Sequence, residues 1–243
     1  LSSAGNTIAL KDLFTRLDDV EKDFRDNIRA YNSIFAFTFM GVKLDEDLAN
    51  VQGGIYHSIG SLLLVNDVPK FLQLYIYDTE QETNNRLAIM PQLRHDTLEF
   101  IKSVLDQLNP FVANFHSISS YNNVTDLCFS IKADHSLDQH TYNAPTASQV
   151  AAVGSYDLMQ YPLLFPQGDY SWHPKILQNM SQKKVTTRQY YAYKLHFRES
   201  SSVLLFYGSH LFQQYIVDNY VKIESTRLNY FRFGQDKIRS ELY

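Results

Sequence analysis

The stretch VLLFYGSHLFQQYIVDNYVKIESTRLNYFRFG, residues 203–234, reads as one long helix. Phe212, Ile216, Tyr220 and Ile223 recur at helical spacing and predict its buried face. Asp218 and Lys222 stand at i,i+4 and Glu224 and Arg227 at i,i+3, so much of the charge can pair along the helix itself. Gly234 is the expected stop. The C-terminal part of the chain is therefore predicted to be a helical arm.

Upstream, Thr186 with Gln189 forms a capping-box pair opening a helix over 187–198, and residues 173–185 read as a polar linker. Residues 160–172 are aromatic, with Pro162 and Pro166 favouring extended or turn backbone. Asp96 with Glu99 is a second capping-box pair, and Asn109-Pro110 marks the end or a kink of the helix it opens. Residues 9–31 carry Leu10, Leu13, Leu17, Val20, Phe24 and Tyr31 at a/d spacing, the pattern of an amphipathic helix. Between these, residues 35–39 and, in part, 72–77 alternate at period two, as do Leu127, Phe129 and Ile131. Gly41, Gly53-Gly54, Gly60 and Asn66-Asp67 punctuate them as turns. The fold class expected is α+β. It comprises an N-terminal helix over 1–32, a mixed region of short strands and helices over 33–182, and a basic helical segment over 183–243.

At 243 residues the chain is long enough for a sizeable core. The 17 Tyr and 16 Phe are read first as core packing and second as platforms for single-stranded bases. The single cysteine, Cys128, leaves no partner for an internal disulfide and reads as a buried inert thiol. No apolar run approaches the roughly 18 residues of a membrane span, and no signal peptide is visible, so neither a membrane location nor secretion is expected. The net charge of −4 divides unevenly: residues 1–182 carry 12 basic and 21 acidic side chains, and residues 183–243 carry 10 and 5. The basic segment supplies the candidate nucleic-acid contacts Lys183, Lys184, Arg188, Lys194, Arg198, Arg232, Lys237 and Arg239.

Two specific motifs are missing. A metal-dependent initiator nuclease needs two histidines flanking one hydrophobe, and no two of the 8 histidines are so spaced. An ATP-driven helicase needs a phosphate loop ending in Gly-Lys-Ser/Thr, and the chain has no Gly-Lys dipeptide. Tyr190, Tyr191 and Tyr193 resemble nucleophiles in composition only, lacking a metal or base partner nearby in sequence. The polar run from Asp134 to His140 is read as a loop in preference to an ion site. No catalytic, cofactor-binding or metal-binding residue is assigned.

Residues 211–243 closely resemble the segment of Helitron-type transposon proteins that leads into their replication-initiator nuclease. FAFTFMGVKLD (35–45), YHSIGSLL (56–63), FLQLYIYDTE (71–80), YNAPTASQVAAV (142–153) and QYPLLFPQGD (160–169) resemble the same family in order. The resemblance implies a nuclear protein whose full-length relatives nick, rejoin and unwind DNA by a rolling-circle route, using a divalent metal and ATP. In those relatives the metal motif, the nucleophilic tyrosines and the helicase lie downstream of the region matched here. The expectation is a non-catalytic N-terminal portion that binds single-stranded DNA or serves as a scaffold for downstream nuclease and helicase domains. Two short seams, Ile55 between Gly53-Gly54 and Tyr56-His57 and the stretch Gly154 to Met159, stand where the family has longer sequence. They raise the alternative of a degenerate transposon relic without activity.

Overall fold

The computed structural model describes residues 10–16, 18–37, 73–76, 81–118, 156–169, 171–173, 175–179, 181–197 and 204–233. After a helical stretch at 10–15 come helices Asp19–Asp26 (α1), Ile28–Phe35 (α2), Gln73–Ile76 (α3), Glu82–Ile89 (α4), His95–Leu108 (α5) and Pro110–Ile118 (α6). They continue with Tyr156–Gln160 (α7), Thr187–Lys194 (α8), Leu204–Tyr207 (α9) and Ser209–Phe233 (α10). Among the described residues the only β-type pairing is an isolated antiparallel bridge between Leu177 and Lys184.

The described chain is thus mostly helical, which corrects the α+β expectation. The alternation at 35–39 and 72–77 was misleading for a physical reason. Ile34, Phe35, Ala36 and Phe37 are all buried, so period two reports no wet face there. Phe35 ends α2, and Leu74 and Tyr75 sit buried in α3. The expected strand at 127–131, Cys128, the Asp134–His140 run, the 54–57 seam and Gly234 lie outside the described residues.

The expected 9–31 helix is not continuous: Arg16 and Asp18 stand outside helix, and it breaks again at Asn27, whose Nδ2 donates to the Asp23 backbone carbonyl at 3.1 Å and to Asp23 Oδ1 at 3.0 Å. A side chain that bonds the preceding turn competes with the helical ladder, and α1 ends there. Helix α5 ends at Asn109 as read from the sequence, but it begins without a side-chain cap. Asp96 instead pairs with Arg94 at 3.1 Å. The Thr186–Gln189 capping box is present in full. The expected linker at 173–185 is a turn closed by Gln178 N–H to the Lys183 carbonyl and Val185 N–H to that of Ile176, both at 2.8 Å. Trp172 Nε1 anchors it by donating to the Val185 carbonyl at 2.8 Å.

A single core joins these elements. Phe24 packs between Phe14 and Tyr31, with ring centroids 5.1 and 5.4 Å away. Phe37 packs between Tyr75 and Phe115 at 4.8 and 5.1 Å. Leu98, Ile101 and Leu105 of α5, Leu158, Leu163 and Leu164 around α7, and Leu211 and Tyr215 of α10 complete it. The first reading of the aromatics therefore holds for Tyr31, Tyr75, Tyr161, Tyr215, Phe24, Phe35, Phe37 and Phe115, which are fully buried, while Tyr193, Phe197, Tyr207 and Tyr220 are exposed.

Candidate functional site

The face by which α10 enters the core is only in part the one its apolar spacing predicted: Phe212 and Ile223 pack, partly buried, against the core. Leu211, Tyr215, Asp218 and Asn219 point inward, whereas Ile216 and Tyr220 are exposed. The inward face carries charge because it meets a charge. Lys222 Nζ binds Asp157 Oδ1 of α7, with side-chain exposures of 16% and 4%. The same carboxylate accepts Tyr191 Oη–H from α8 at 3.1 Å and Tyr215 Oη–H from α10 at 3.4 Å, both on Oδ2. Asn219 Oδ1 accepts a second bond from Lys222 at 3.2 Å. The backbone N–H of Asp157 donates to Ser171 Oγ at 2.8 Å. The expected Asp218–Lys222 partnership is thereby replaced. Lys222 turns to Asp157, and Asp218 accepts from Tyr161 Oη and, at 3.3 Å, from Gln160 Nε2.

The electrostatics follow from burial. Desolvation pulls the Lys222 ammonium below the usual lysine range, opposed by the Asp157 charge. Burial, reinforced by the negative Asp157, pushes the Tyr191 and Tyr215 phenols far up. Both tyrosines therefore stay protonated and act as donors. Through this one carboxylate the cluster ties α7, α8 and α10 together. Asn32 of α2 extends it, donating to the Gln160 carbonyl at 2.7 Å and accepting from Leu163 N–H at 3.4 Å.

A second buried network lies under α4. Glu82 and Arg86 are fully buried and paired. The guanidinium stacks between Phe35 and Tyr75, 4.3 and 4.7 Å from their ring centres. Glu82 Oε2 also faces His116 Nε2 at 3.5 Å and Lys102 Nζ at 3.7 Å. Burial opposes ionisation of Glu82, but His116, Arg86 and Lys102 together outweigh it and hold the carboxyl below its ordinary value. Among the described residues no group of three His, Cys, Asp or Glu side chains is arranged to hold a metal ion.

The structure describes part of the candidate nucleic-acid set. Lys183, Lys184 and Arg188 are exposed on the turn and on the first turn of α8. Lys184 lies across the bridge from the exposed Leu177, and Lys175, which the sequence reading passed over, is exposed on the same turn. Lys194 is drawn away, to Asp169 at 3.5 Å and over the Phe165 ring. Arg232 falls in the last turn of α10, and Arg198, Lys237 and Arg239 lie outside the described residues. Asp157 and Lys222 were missed as a pair. The available signal was a lysine in register with Leu211, Tyr215 and Asp218 on what proves to be the buried face.

Among the described residues the scaffold is thus mostly helical, with one buried polar cluster centred on Asp157 and another on Glu82 and Arg86. Residues 190–243 match the family described as the Helitron helicase-like domain at the N-terminus, so this segment is similar to that family. No curated protein matches the chain significantly. Among the described residues no helix is long and apolar enough to cross a membrane.

Proposed function

We propose that this chain is the non-catalytic N-terminal portion of a Helitron rolling-circle transposition protein, in which upstream helices brace the helicase-like segment. One observation carries the reading. Tyr191, Tyr215 and Lys222, all inside the matched segment, converge on Asp157, which lies outside it. Three polar side chains of the matched segment thus share one carboxylate from upstream. Amide exchange on the full chain tests this. Asp157→Ala is expected to raise exchange across residues 211–222 while leaving α5 protected. Unchanged protection of α10 would refute the bracing role.

A second reading, binding of single-stranded DNA, is favoured by the exposure of Lys175, Lys183, Lys184 and Arg188 on adjoining backbone. Weak, salt-sensitive binding to an unstructured oligonucleotide is expected, reduced in a Lys184→Glu, Arg188→Glu variant. Equal affinity in both proteins would remove this surface from consideration. On the same reading the protein acts in the nucleus, and ATP and a divalent metal serve only downstream nuclease and helicase domains. Incubation of this chain with DNA, Mg²⁺ and ATP is then expected to give neither cleavage nor ATP hydrolysis. The relic alternative is disfavoured by the partners that Asp157 and Asp218 find across helices distant in sequence; a broad, non-cooperative melt would revive it.

A further inference from the structure

Helix α8 carries three tyrosines, and the core takes up two of them. Tyr191 donates to Asp157, and the half-buried Tyr190 packs edge-on against the Tyr191 ring at 5.4 Å. Tyr193 stands two residues beyond Tyr191, about 200° further round the helix. It therefore faces away from the core and is 64% exposed. The chain around it carries one sign of charge. Between Asp169 and Glu199 there is no acidic residue, against the basic Lys175, Lys183, Lys184, Arg188, Lys194 and Arg198. Lys194 pairs with Asp169. Lys175, Lys183, Lys184 and Arg188 are exposed, and among the described residues no ion pair includes them.

We propose that Tyr193 is a base-stacking residue for single-stranded DNA, with Lys183, Lys184 and Arg188 holding the phosphates. The assignment rests on the reading of this basic turn as a DNA-binding surface, and adds to it the residue that distinguishes bases from bare charge. Exposed cations in an acid-free stretch attract a polyanion. An aromatic face turned outward beside them adds a preference for planar rings. A duplex keeps its base faces stacked on one another, whereas an unpaired strand presents them together with its phosphates. The scaffold holds the two kinds of contact at a set separation. Arg188 and Tyr193 belong to one helix, with about 7.5 Å of axial rise between them at 1.5 Å per residue. The turn bearing Lys183 and Lys184 is fixed to the start of that helix by the Thr186–Gln189 capping box and by Trp172 Nε1 on the Val185 carbonyl.

Titration of the full chain at low salt with oligothymidylate, an abasic strand of the same length, duplex DNA and polyglutamate tests the proposal. Oligothymidylate is expected to bind tightest. Tyr193→Ala should weaken its binding by about fivefold or more. The same variant should hold the abasic strand as the parent does, because that strand keeps the phosphates and lacks the rings. Tyr193→Phe should retain the parent affinity for oligothymidylate. Position 193 is at the surface, so thermal melts of both variants should match the parent and separate lost stacking from lost folding. The Lys184→Glu, Arg188→Glu variant should lower the affinity for both strands. Tyr193→Ala binding oligothymidylate like the parent, or a parent that holds the abasic strand equally well, would overturn the stacking role and leave the phosphate surface standing. Tighter binding of duplex or of polyglutamate would overturn it by assigning the surface to another polyanion. Absence of binding, or indifference to Lys184→Glu, Arg188→Glu, would overturn the DNA-binding reading itself and the assignment with it.

Discussion

At the residue scale, the molecule commits its most expensive groups to pairs. Arg86 is the largest fully buried side chain, and it is tolerated because Glu82 neutralises it and two aromatic faces replace its lost water. Breaking such a pair costs more than removing it whole. Glu82→Gln is expected to destabilise the chain by about 3–5 kcal/mol, since it strands the guanidinium. A Glu82→Leu, Arg86→Met double variant should lose markedly less, because neither charge is then left behind. Urea denaturation of the two proteins and the parent measures the difference; additive or larger loss in the double variant would mean that the pair itself supplies the stability. The sequence showed Glu82 and Arg86 at i,i+4, the spacing of an ordinary surface pair. Only the packing of Phe35 and Tyr75, distant in the chain, makes the pair internal, and nothing local to 82–86 encodes that.

At the element scale, start and stop signals were more legible than faces. The Thr186 cap and the Asn109 end act locally and stand where the residues placed them. The face of α10 depends on what it meets: apolar spacing found Phe212 and Ile223 but also chose Ile216 and Tyr220, having no means of seeing Asp157. The expected continuous helix from 203 also breaks, at Gly208 and Ser209. A Cβ on Gly208 would lie 2.7 Å from Leu164 Cδ2 and 3.2 Å from the Leu205 carbonyl oxygen, so the close approach of α9 to the 161–165 turn requires glycine. Ser209 has φ of 45°, a left-handed conformation that costs a non-glycine residue roughly 1–2 kcal/mol. Ser209→Gly is therefore expected to stabilise the protein by about 0.5–1 kcal/mol, the relief being partly offset by the greater freedom of glycine in the unfolded chain. Gly208→Ala should destabilise by about 1–3 kcal/mol through overpacking. Opposite signs at neighbouring positions, read from thermal melts, are the signature; a stabilising Gly208→Ala would show that Leu164 yields freely.

For the whole molecule, composition indicated a large aromatic core but not its architecture. Alternation along 35–39 has the same appearance in a strand with one wet face and in a helix end buried on all sides, and here the latter holds for 35–37. The two buried networks give the assembled core a pH dependence that no single segment would show. Glu82 has a folded pKa held below its unfolded value of about 4.3. It stabilises the fold fully above that value, and the contribution is lost as pH falls toward the folded pKa. Asp218 has the opposite sign. Burial raises its folded pKa above the unfolded value of about 3.9, so on its account stability declines as pH rises through that window. The two effects oppose each other on the acid side. The parent chain should lose stability below about pH 4, where the Glu82 contribution is withdrawn. Glu82→Gln should start lower at neutral pH but show a shallower acid loss. Asp218→Asn removes the compensating carboxyl and should steepen the fall between neutral pH and about pH 4 relative to the parent. Denaturation midpoints at a series of pH values separate the three proteins. Parallel curves for all three would mean that neither carboxyl differs in proton affinity between the folded and unfolded chain, and the electrostatic account of both networks would have to be abandoned.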